Sequence, residues 1–306
     1  DLRTNGWELY LGWNDSFALM GKRFNYTVSA TLGDNKTVFT KFNNPEKNLS
    51  NHYEGKVLGE IWGYRVDGLF ASDEEAAEYT SKINQDAVNE RILTDKVDPY
   101  YRAGDLKFRD LDGDNVISKG DDTAYDAGDR EIIGNETPRY MYSFRLGADW
   151  NGFDLGIFFQ GVGKRDWYPN YLSTGFWGPY SRAFTSFIPE NFMDQCWSEE
   201  NRDGYFPRFR GYQTFAGSQL GVNNDRYLQD ASYIRLKNLT VGYTLPVLKK
   251  VFTKLRVYFT GENLWYWSPM LKHTKYIDPE AAGGNGNTGM AYNYSRNFSV
   301  GVDITF

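Results

Sequence analysis

The chain is poor in the residues from which most active sites are built: it has one cysteine, Cys196, and two histidines, His52 and His273. A single thiol excludes an internal disulfide. Long apolar runs are also missing. No stretch approaches the roughly 18 consecutive apolar residues that a spanning helix requires, which excludes a helical membrane protein. Positive charge is not in excess: 34 Lys and Arg stand against 40 Asp and Glu, for a net charge of −6. With no basic stripe and no recognition motif, nucleic acid is excluded as a partner. The sequence opens at Asp1 in polar surroundings, without the pattern of a signal peptide.

What is abundant is two-residue alternation. In Phe298–Phe306, Phe298, Val300, Val302, Ile304 and Phe306 share one face, and Ser299, Gly301, Asp303 and Thr305 share the other. Side chains of a strand switch face at each residue, so such a strand suits a wall between hydrocarbon and water. Upstream, Trp7, Leu9, Leu11 and Trp13 alternate with polar residues, as do Phe24, Tyr26, Val28, Ala30 and Leu32, then Tyr140 to Ala148 and Phe153 to Phe159. A third, weaker strand is read at about Lys56 to Asp67. Asn151-Gly152, tolerant of positive φ, predicts a two-residue hairpin turn. In the sixth strand, about Arg226 to Leu245, the phase slips at Lys237-Asn238, and one extra residue there, a β-bulge, restores the oily face. Leu255, Val257 and Phe259 mark the seventh strand and Phe298–Phe306 the eighth. The fold class is thus all-β, an antiparallel transmembrane β-barrel wall of about eight strands.

Connection lengths orient this wall. Counted back from a periplasmic C-terminus, Asn151-Gly152 and Pro246–Phe252 are short turns on the inner side. Three long loops, residues 68–136, 163–225 and 265–294, fall outside, which is the outer-membrane pattern. The connection Asp34–Glu54 does not fit: it is long and falls on the short-turn side. Open strands at both ends would leave backbone groups unpaired in lipid, costing several kcal/mol each. Trp7–Asn14 and Phe298–Phe306 are therefore expected to pair with strands outside this chain, and an outer-membrane protein is expected to have sequence before Asp1.

Acidity is concentrated in one loop. Gly68–Glu136 carries 18 acidic and 8 basic residues. It opens on Ser72-Asp73-Glu74-Glu75, a capping-box pattern that predicts a short helix. Farther on, Asp110-Leu111-Asp112-Gly113-Asp114-Asn115-Val116-Ile117-Ser118-Lys119-Gly120-Asp121 has the spacing of a calcium loop. Side-chain oxygens of Asp110, Asp112, Asp114, Ser118 and Asp121 and the carbonyl of Val116 stand at the ligand positions, and calcium takes six to eight hard oxygens. Asn115 occupies the place of the usual glycine and Asp121 that of the usual bidentate Glu. A solvated acidic turn without metal is the bland alternative, and a bound Ca2+ would stiffen the loop rather than carry chemistry.

The order of Glu60-Ile61-Trp62-Gly63-Tyr64, Gly68-Leu69-Phe70, Gly104-Asp105 and Asp110–Ile117 continues through Ile133-Gly134-Asn135, Pro138-Arg139-Tyr140 and Phe158–Asp166. Tyr227–Tyr243, Gly261-Glu262-Asn263-Leu264 and Asp278-Pro279-Glu280 then follow. This succession, over nearly the whole chain, closely resembles the SusC/RagA-like family of TonB-dependent outer-membrane transporters. The resemblance implies a barrel of about 22 strands, of which these are the C-terminal part, with an N-terminal plug and a TonB-contacting segment not found in this sequence. It also implies localisation in the bacterial outer membrane, a SusD-like surface lipoprotein over the mouth, and import of oligosaccharides or peptides.

Enzyme readings fare poorly, and none is carried forward. His52 and His273 are placed on opposite sides of the wall, so a shared site is not expected. Gly161-Val162-Gly163-Lys164 lacks the first glycine and the Ser or Thr of a phosphate loop. Cys196, near Phe192, Met193 and Trp197, reads as an inert thiol on an apolar helix face. Among the aromatics, Trp167, Tyr168, Trp177 and Tyr180 are candidate substrate-binding faces or else packing within the loop. Trp265, Tyr266 and Trp267 suit an interfacial girdle. Two further readings compete with active import: a passive porin or structural barrel, and a soluble calcium-stabilised carbohydrate-binding β-sandwich.

Overall fold

A computed structural model describes residues 1–95, 98–182, 184, 188–210, 213–215, 217–246, 253–282 and 292–306. Seven strands, consecutive in the sheet as in the chain, form one antiparallel wall: β1 (Leu2–Leu19), β2 (Lys22–Phe39), β3 (Arg139–Trp150), β4 (Phe153–Lys164), β5 (Tyr233–Leu245), β6 (Lys254–Trp267) and β7 (Asn297–Thr305). β1 and β7 are its two edges.

Register carries the alternation across the sheet. One row runs Trp13, Val28, Leu146, Ile157, Leu239, Gly261, Phe298; another runs Tyr26, Ala148, Leu155, Val241, Phe259, Val300. The rows between them are polar, such as Asn14, Thr27, Gly147, Gly156, Thr240, Thr260, Ser299. No described residue covers the apolar face at β7, where Val300, Val302 and Ile304 are 77%, 55% and 48% exposed. The accessible surface, 17487 Å², exceeds the roughly 13,000 Å² of a compact monomer of this mass, as a one-layered sheet requires. On the polar face Arg256 binds Asp154 through Nε (2.8 Å) and Nη2 (2.6 Å) and Asp303 through Nη1 (3.0 Å).

The bulge lies where the phase slip puts it. Register shifts between Leu236 and Asn238 against both neighbours, so Lys237 is the inserted residue and Leu236 and Leu239 keep the apolar side. The segment expected as a third wall strand, by contrast, is not in the wall. Glu60–Tyr64 pairs with Arg130–Asn135, and Val66–Leu69 with Leu106–Phe108, in two small hairpin-like sheets. Ile61, Gly63 and Tyr64 are all buried, and a Cβ on Gly63 would stand 2.5 Å from the Ile133 side chain and 2.8 Å from the Asn223 carbonyl oxygen. Packed against protein, this strand has no face for lipid.

Moving that strand out of the wall removes the misfit in orientation. Asp34–Phe39 still belongs to β2, and residues 40–138 form one long loop at the same end as residues 165–232 and 268–296. Met20-Gly21 and Asn151-Gly152 turn at the other end; of the third turn there, residues 247–252 lie outside those described. His52 is consequently at the same end as His273, not opposite to it.

At the β3–β4 turn, Asn151 and Gly152 have φ of +51° and +90°, the values of a type I′ turn. Thr244 N donates to Gly152 O at 2.7 Å, and a Cβ on Gly152 would lie 2.9 Å from Thr244 O. Gly152→Val is expected to destabilise the wall by about 1–3 kcal/mol, read as a lower urea midpoint for folding into lipid vesicles. An unchanged midpoint would show that the turn does not require glycine.

Candidate functional site

The three long connections fold together into a layer with its own core, and all the candidate residues lie in it. Tyr64, Leu106, Phe108 and Ile117 from the first loop pack with Trp167, Phe176, Trp177, Tyr180, Phe206 and Tyr227 from the second and with Met270 and Ile277 from the third. Phe206 is central: Tyr180, Phe192 and Tyr227 stack on it at ring-centroid distances of 5.7, 5.1 and 5.8 Å.

This packing corrects the aromatic expectation. Trp167, Trp177 and Tyr180 are 2%, 0% and 0% exposed, so they offer no free ring face to a ligand. Trp177 Nε1 donates to Asn170 O (2.9 Å) and Pro169 O (3.1 Å), and Tyr180 Oη donates to Pro207 O (2.6 Å). Burial raises the Tyr180 hydroxyl far above its ordinary pKa. Tyr168 is partly buried, donates to Val222 O at 3.0 Å, and borders surface clefts with Asn170 and Asn223. Near the end of β6, Trp265 and Trp267 stay exposed at 49% and 55%, paired across the ladder with Leu236 and Ile234.

The acidic loop is built as its spacing suggests at one end and differently at the other. Ser72 Oγ accepts from Glu75 N (3.1 Å), and Glu75 Oε2 accepts from Ala71 N (2.7 Å), capping the helix Asp73–Thr80. In the motif itself, Asp110 accepts from Gly113 N (2.7 Å) and Asn115 N (2.9 Å), Asp112 from Asp114 N (3.1 Å), and Asp114 from Val116 N (2.7 Å). Asn115 has φ +66°, the left-handed conformation that asparagine tolerates. Asp110, Asp112 and Asp129 each bring a carboxylate oxygen within 4.8 Å of the others. Asp114 and Asp121 are not in that group. Asp121 instead donates its N–H to Asp126 Oδ2 (3.2 Å), and Ser118 Oγ accepts from Gly120 N (3.1 Å).

Asp129 was beyond the reach of the twelve-residue spacing, being eight residues past its end. It is fully buried and accepts from Leu111 N and Ser118 N, both at 2.7 Å. Burial, with Asp112 and Asp110 close by, outweighs those two bonds and raises its carboxyl above the ordinary range. Ile117, fully buried, anchors the loop in the aromatic core.

Two buried ion pairs join the loops to each other and to the wall. Asp105, fully buried, accepts from Arg210 Nε (3.0 Å) and Nη2 (2.9 Å) and from Gln219 Nε2 (3.1 Å). The glycine before it, Gly104 (φ +84°), lies under Trp197, whose ring a Cβ would meet at 2.3 Å. At the end of β5, Arg235 pairs with Asp278 and lies 3.0 Å from Glu280, which also takes Lys237 Nζ at 2.8 Å. Tyr266 and Tyr294 cover the Arg235 guanidinium at 4.7 and 5.1 Å. Gly104-Asp105 and Asp278-Pro279-Glu280 stand out in the sequence as motifs, but their cationic partners lie far away along the chain.

Cys196 is buried in a short strand, Cys196–Trp197, rather than on a helix face. Burial raises its thiol pKa. His52 stacks on Phe39 at 4.2 Å and His273 on Tyr205 at 3.6 Å. These contacts pack the two histidines on separate aromatic rings.

No family model matches the sequence. Curated proteins do. The chain is 30% identical over 269 residues to TonB-dependent receptor P3 of Formosa agariphila, a match covering 83% of this chain and 22% of that protein. To TonB-dependent receptor P26 of the same organism it is 28% identical over 216 residues, covering 66% and 20%. The chain thus spans about a fifth of the length of these relatives. Among solved structures, the RagAB peptide importer in its open-open state matches over 100% of this chain and 29% of its own, with a TM-score of 0.61 and 21% identity. A second structure of the RagAB peptide transporter gives 0.60 and 19%. At these identities the likeness is one of fold: wall and loop layer recur together.

His273 yields a test of the loop packing. Burial, then Lys272 and Arg226, lower its pKa from 6.5 to about 4. Because the folded value lies below the unfolded one, the unfolded loop takes up the proton first. Stability is complete above about pH 6.5 and is lost as pH falls toward 4. The hydrogen-exchange protection factors of residues 268–276, taken relative to intrinsic exchange at each pH, are expected to fall over that window, and His273→Gln to flatten the dependence. Equal pH profiles for the two proteins would place His273 outside the packed layer.

Proposed function

The chain belongs to the SusC/RagA-like TonB-dependent receptors, and from that premise we propose that it forms part of the wall and outer loops of an outer-membrane importer. The apolar face meets lipid, the polar face borders a water-filled passage, and the loop layer stands at the cell exterior. The observation that carries this reading is the apolar face itself, continuous from β1 to β7 and covered by no second layer among the described residues, with exposed Trp265 and Trp267 near one end. Lipid is the solvent that such a face requires.

The cargo is a solute too large for porins, an oligosaccharide or a peptide, delivered through a SusD-like surface lipoprotein seated on the loop layer. Energy arrives from TonB through a segment outside this chain. Support comes from the relatives named as TonB-dependent receptors and from the RagAB fold, solved as a peptide importer. A passive porin would share the wall but not these relatives. A soluble sandwich would need a second layer on the apolar face, and Val300, Val302 and Ile304 have none among the described residues. Val257, in line with Tyr243 and Val302, tests the lipid contact. Val257→Lys is expected to cost more than Tyr258→Lys on the polar face, by up to about 2–4 kcal/mol, measured by urea titration of the full receptor in lipid vesicles. Equal costs for the two would contradict a lipid-facing Val257.

The acidic loop adds a structural cation to the proposal. Three hard carboxylate oxygens within 4.8 Å of one another suit Ca2+, and Asp110, Asp112 and Asp129 would hold it, with the Val116 carbonyl the expected backbone ligand. Its chemistry is charge neutralisation of a site where burial and repulsion oppose ionisation of Asp129. Calcium is expected to raise the thermal midpoint of the loop layer, by about 2.7 kcal/mol of stabilisation at a hundredfold excess over its dissociation constant. Asp129→Asn should abolish the shift, whereas Asp121→Asn should keep it. Calcium-independent melting of the native protein would refute the site, and an Asp121→Asn protein as impaired as Asp129→Asn would return the twelfth position to the ligand set.

A further inference from the structure

On the polar face of the wall, beside residues 277–282, lies a cavity of about 840 Å³, within the roughly 300–1,000 Å³ typical of small-ligand sites. Thr31, Ser143 and Gln160, in one row of the ladder, line it from β2, β3 and β4; Arg165, Tyr233 and Glu280 line it from the loop end. Glu8 and Tyr10 of β1 border it at the far side from Arg165's loop, and Met141 and Phe158 add apolar surface.

Two of these groups have hydrogen-bonding capacity that the chain does not use. Arg165 donates only to backbone carbonyls, to Glu136 O at 3.3 Å and Pro279 O at 3.4 Å. Among the described residues no carboxylate lies within the 4.0 Å of an ion pair with it. The nearby Glu280 is taken by Lys237 at 2.8 Å and by Arg235 at 3.0 Å. Gln160, the ladder partner of Arg235, makes no hydrogen bond through its amide with any described residue. A guanidinium has five donors in a planar fork that matches a carboxylate bidentately, and here two long carbonyl bonds leave most of that fork free.

We propose that this cavity is a binding subsite for a carboxylate carried by the transported solute, held by the Arg165 fork with the Gln160 amide beside it. The proposal rests on the import reading above and narrows it to acidic cargo. Burial lowers the Arg165 pKa, an effect that Tyr233 and Glu136 only partly offset; a bound carboxylate would reverse it.

The test is arginine labelling of the full receptor in detergent with phenylglyoxal, read by peptide mass spectrometry, with succinate or succinamide added at equal concentration. Arg165 labelling is expected to slow several-fold with succinate and not with succinamide, and Gln160→Ala to weaken that protection. Arg202, ion-paired at the surface with Glu199, serves as the site whose labelling stays constant. Arg165 unreactive in every condition would mean that another part of the full protein already covers it. Equal labelling with and without succinate would mean an open arginine and no subsite. Either outcome overturns the proposal. Neither measurement depends on transport, so loss of import with succinate protection intact would count against the import reading alone.

Discussion

A sheet that separates hydrocarbon from water cannot let its phase slip, and that constraint governs the rest of this structure. Each backbone N–H and C=O in the wall must be bonded to a neighbouring strand, and a slip of one residue would turn every polar side chain of that strand to lipid. β5 shows the constraint in one residue. Without the bulge at Lys237, Asn238 and Thr240 would take the face of Leu236, and Leu239 and Val241 would turn to the polar face. With it, Thr240 meets Thr260 across the polar face at 3.2 Å, and the apolar rows continue into β6 and β7.

The wall and the loop layer solve opposite problems with similar residues. In the wall the apolar side chains point out, and the sheet buries little. In the loops Trp167, Trp177, Phe206 and Tyr227 point in, and form a core like that of a water-soluble protein. The junction falls at the end of β5, where Arg235 and Lys237 face Asp278 and Glu280. A buried ion pair adds little net stability, because desolvation offsets much of the attraction. Its value is positional: removing either partner would strand a charge, so residues 277–282 have one favourable place, against the polar face of the wall.

Much of the wall was legible because its signals are local. Alternation, Asn151-Gly152, the slip at Lys237-Asn238 and the Ser72–Glu75 cap each need fewer than ten residues, and each occurs where the sequence puts it. The strand at Glu60–Tyr64 misleads because alternation reports only that a segment is extended, not which medium it faces. Read at about Lys56 to Asp67 it was long enough for a tilted span of about 10 residues, and the long connection it forced onto the short-turn side was the available warning. The burial of Trp167, Trp177 and Tyr180, and the approach of Asp129 to Asp110 and Asp112, depend on contacts that no short-range pattern encodes. Periodicity could separate wall from loop; it could not separate a ring that packs from a ring that binds.

The acidity of the first loop has a physical origin in that same absence of regular structure. A long connection with little sheet must still satisfy its backbone N–H groups, and here carboxylates do so. Asp110, Asp112, Asp114, Asp126 and Asp129 each accept one or two backbone N–H bonds, as short acidic side chains do in turns. Part of the resulting charge is met by cations, Arg130 of the same loop on Asp122 at 2.7 Å and Arg210 of the second loop on Asp105 at 2.9 Å. At Asp110, Asp112 and Asp129 none of the ion pairs found among the described residues does so. Carboxylates recruited to fold a loop have there accumulated beyond what the protein's own cations balance, and the sequence spacing that resembles a calcium loop follows from the same turn geometry that placed them.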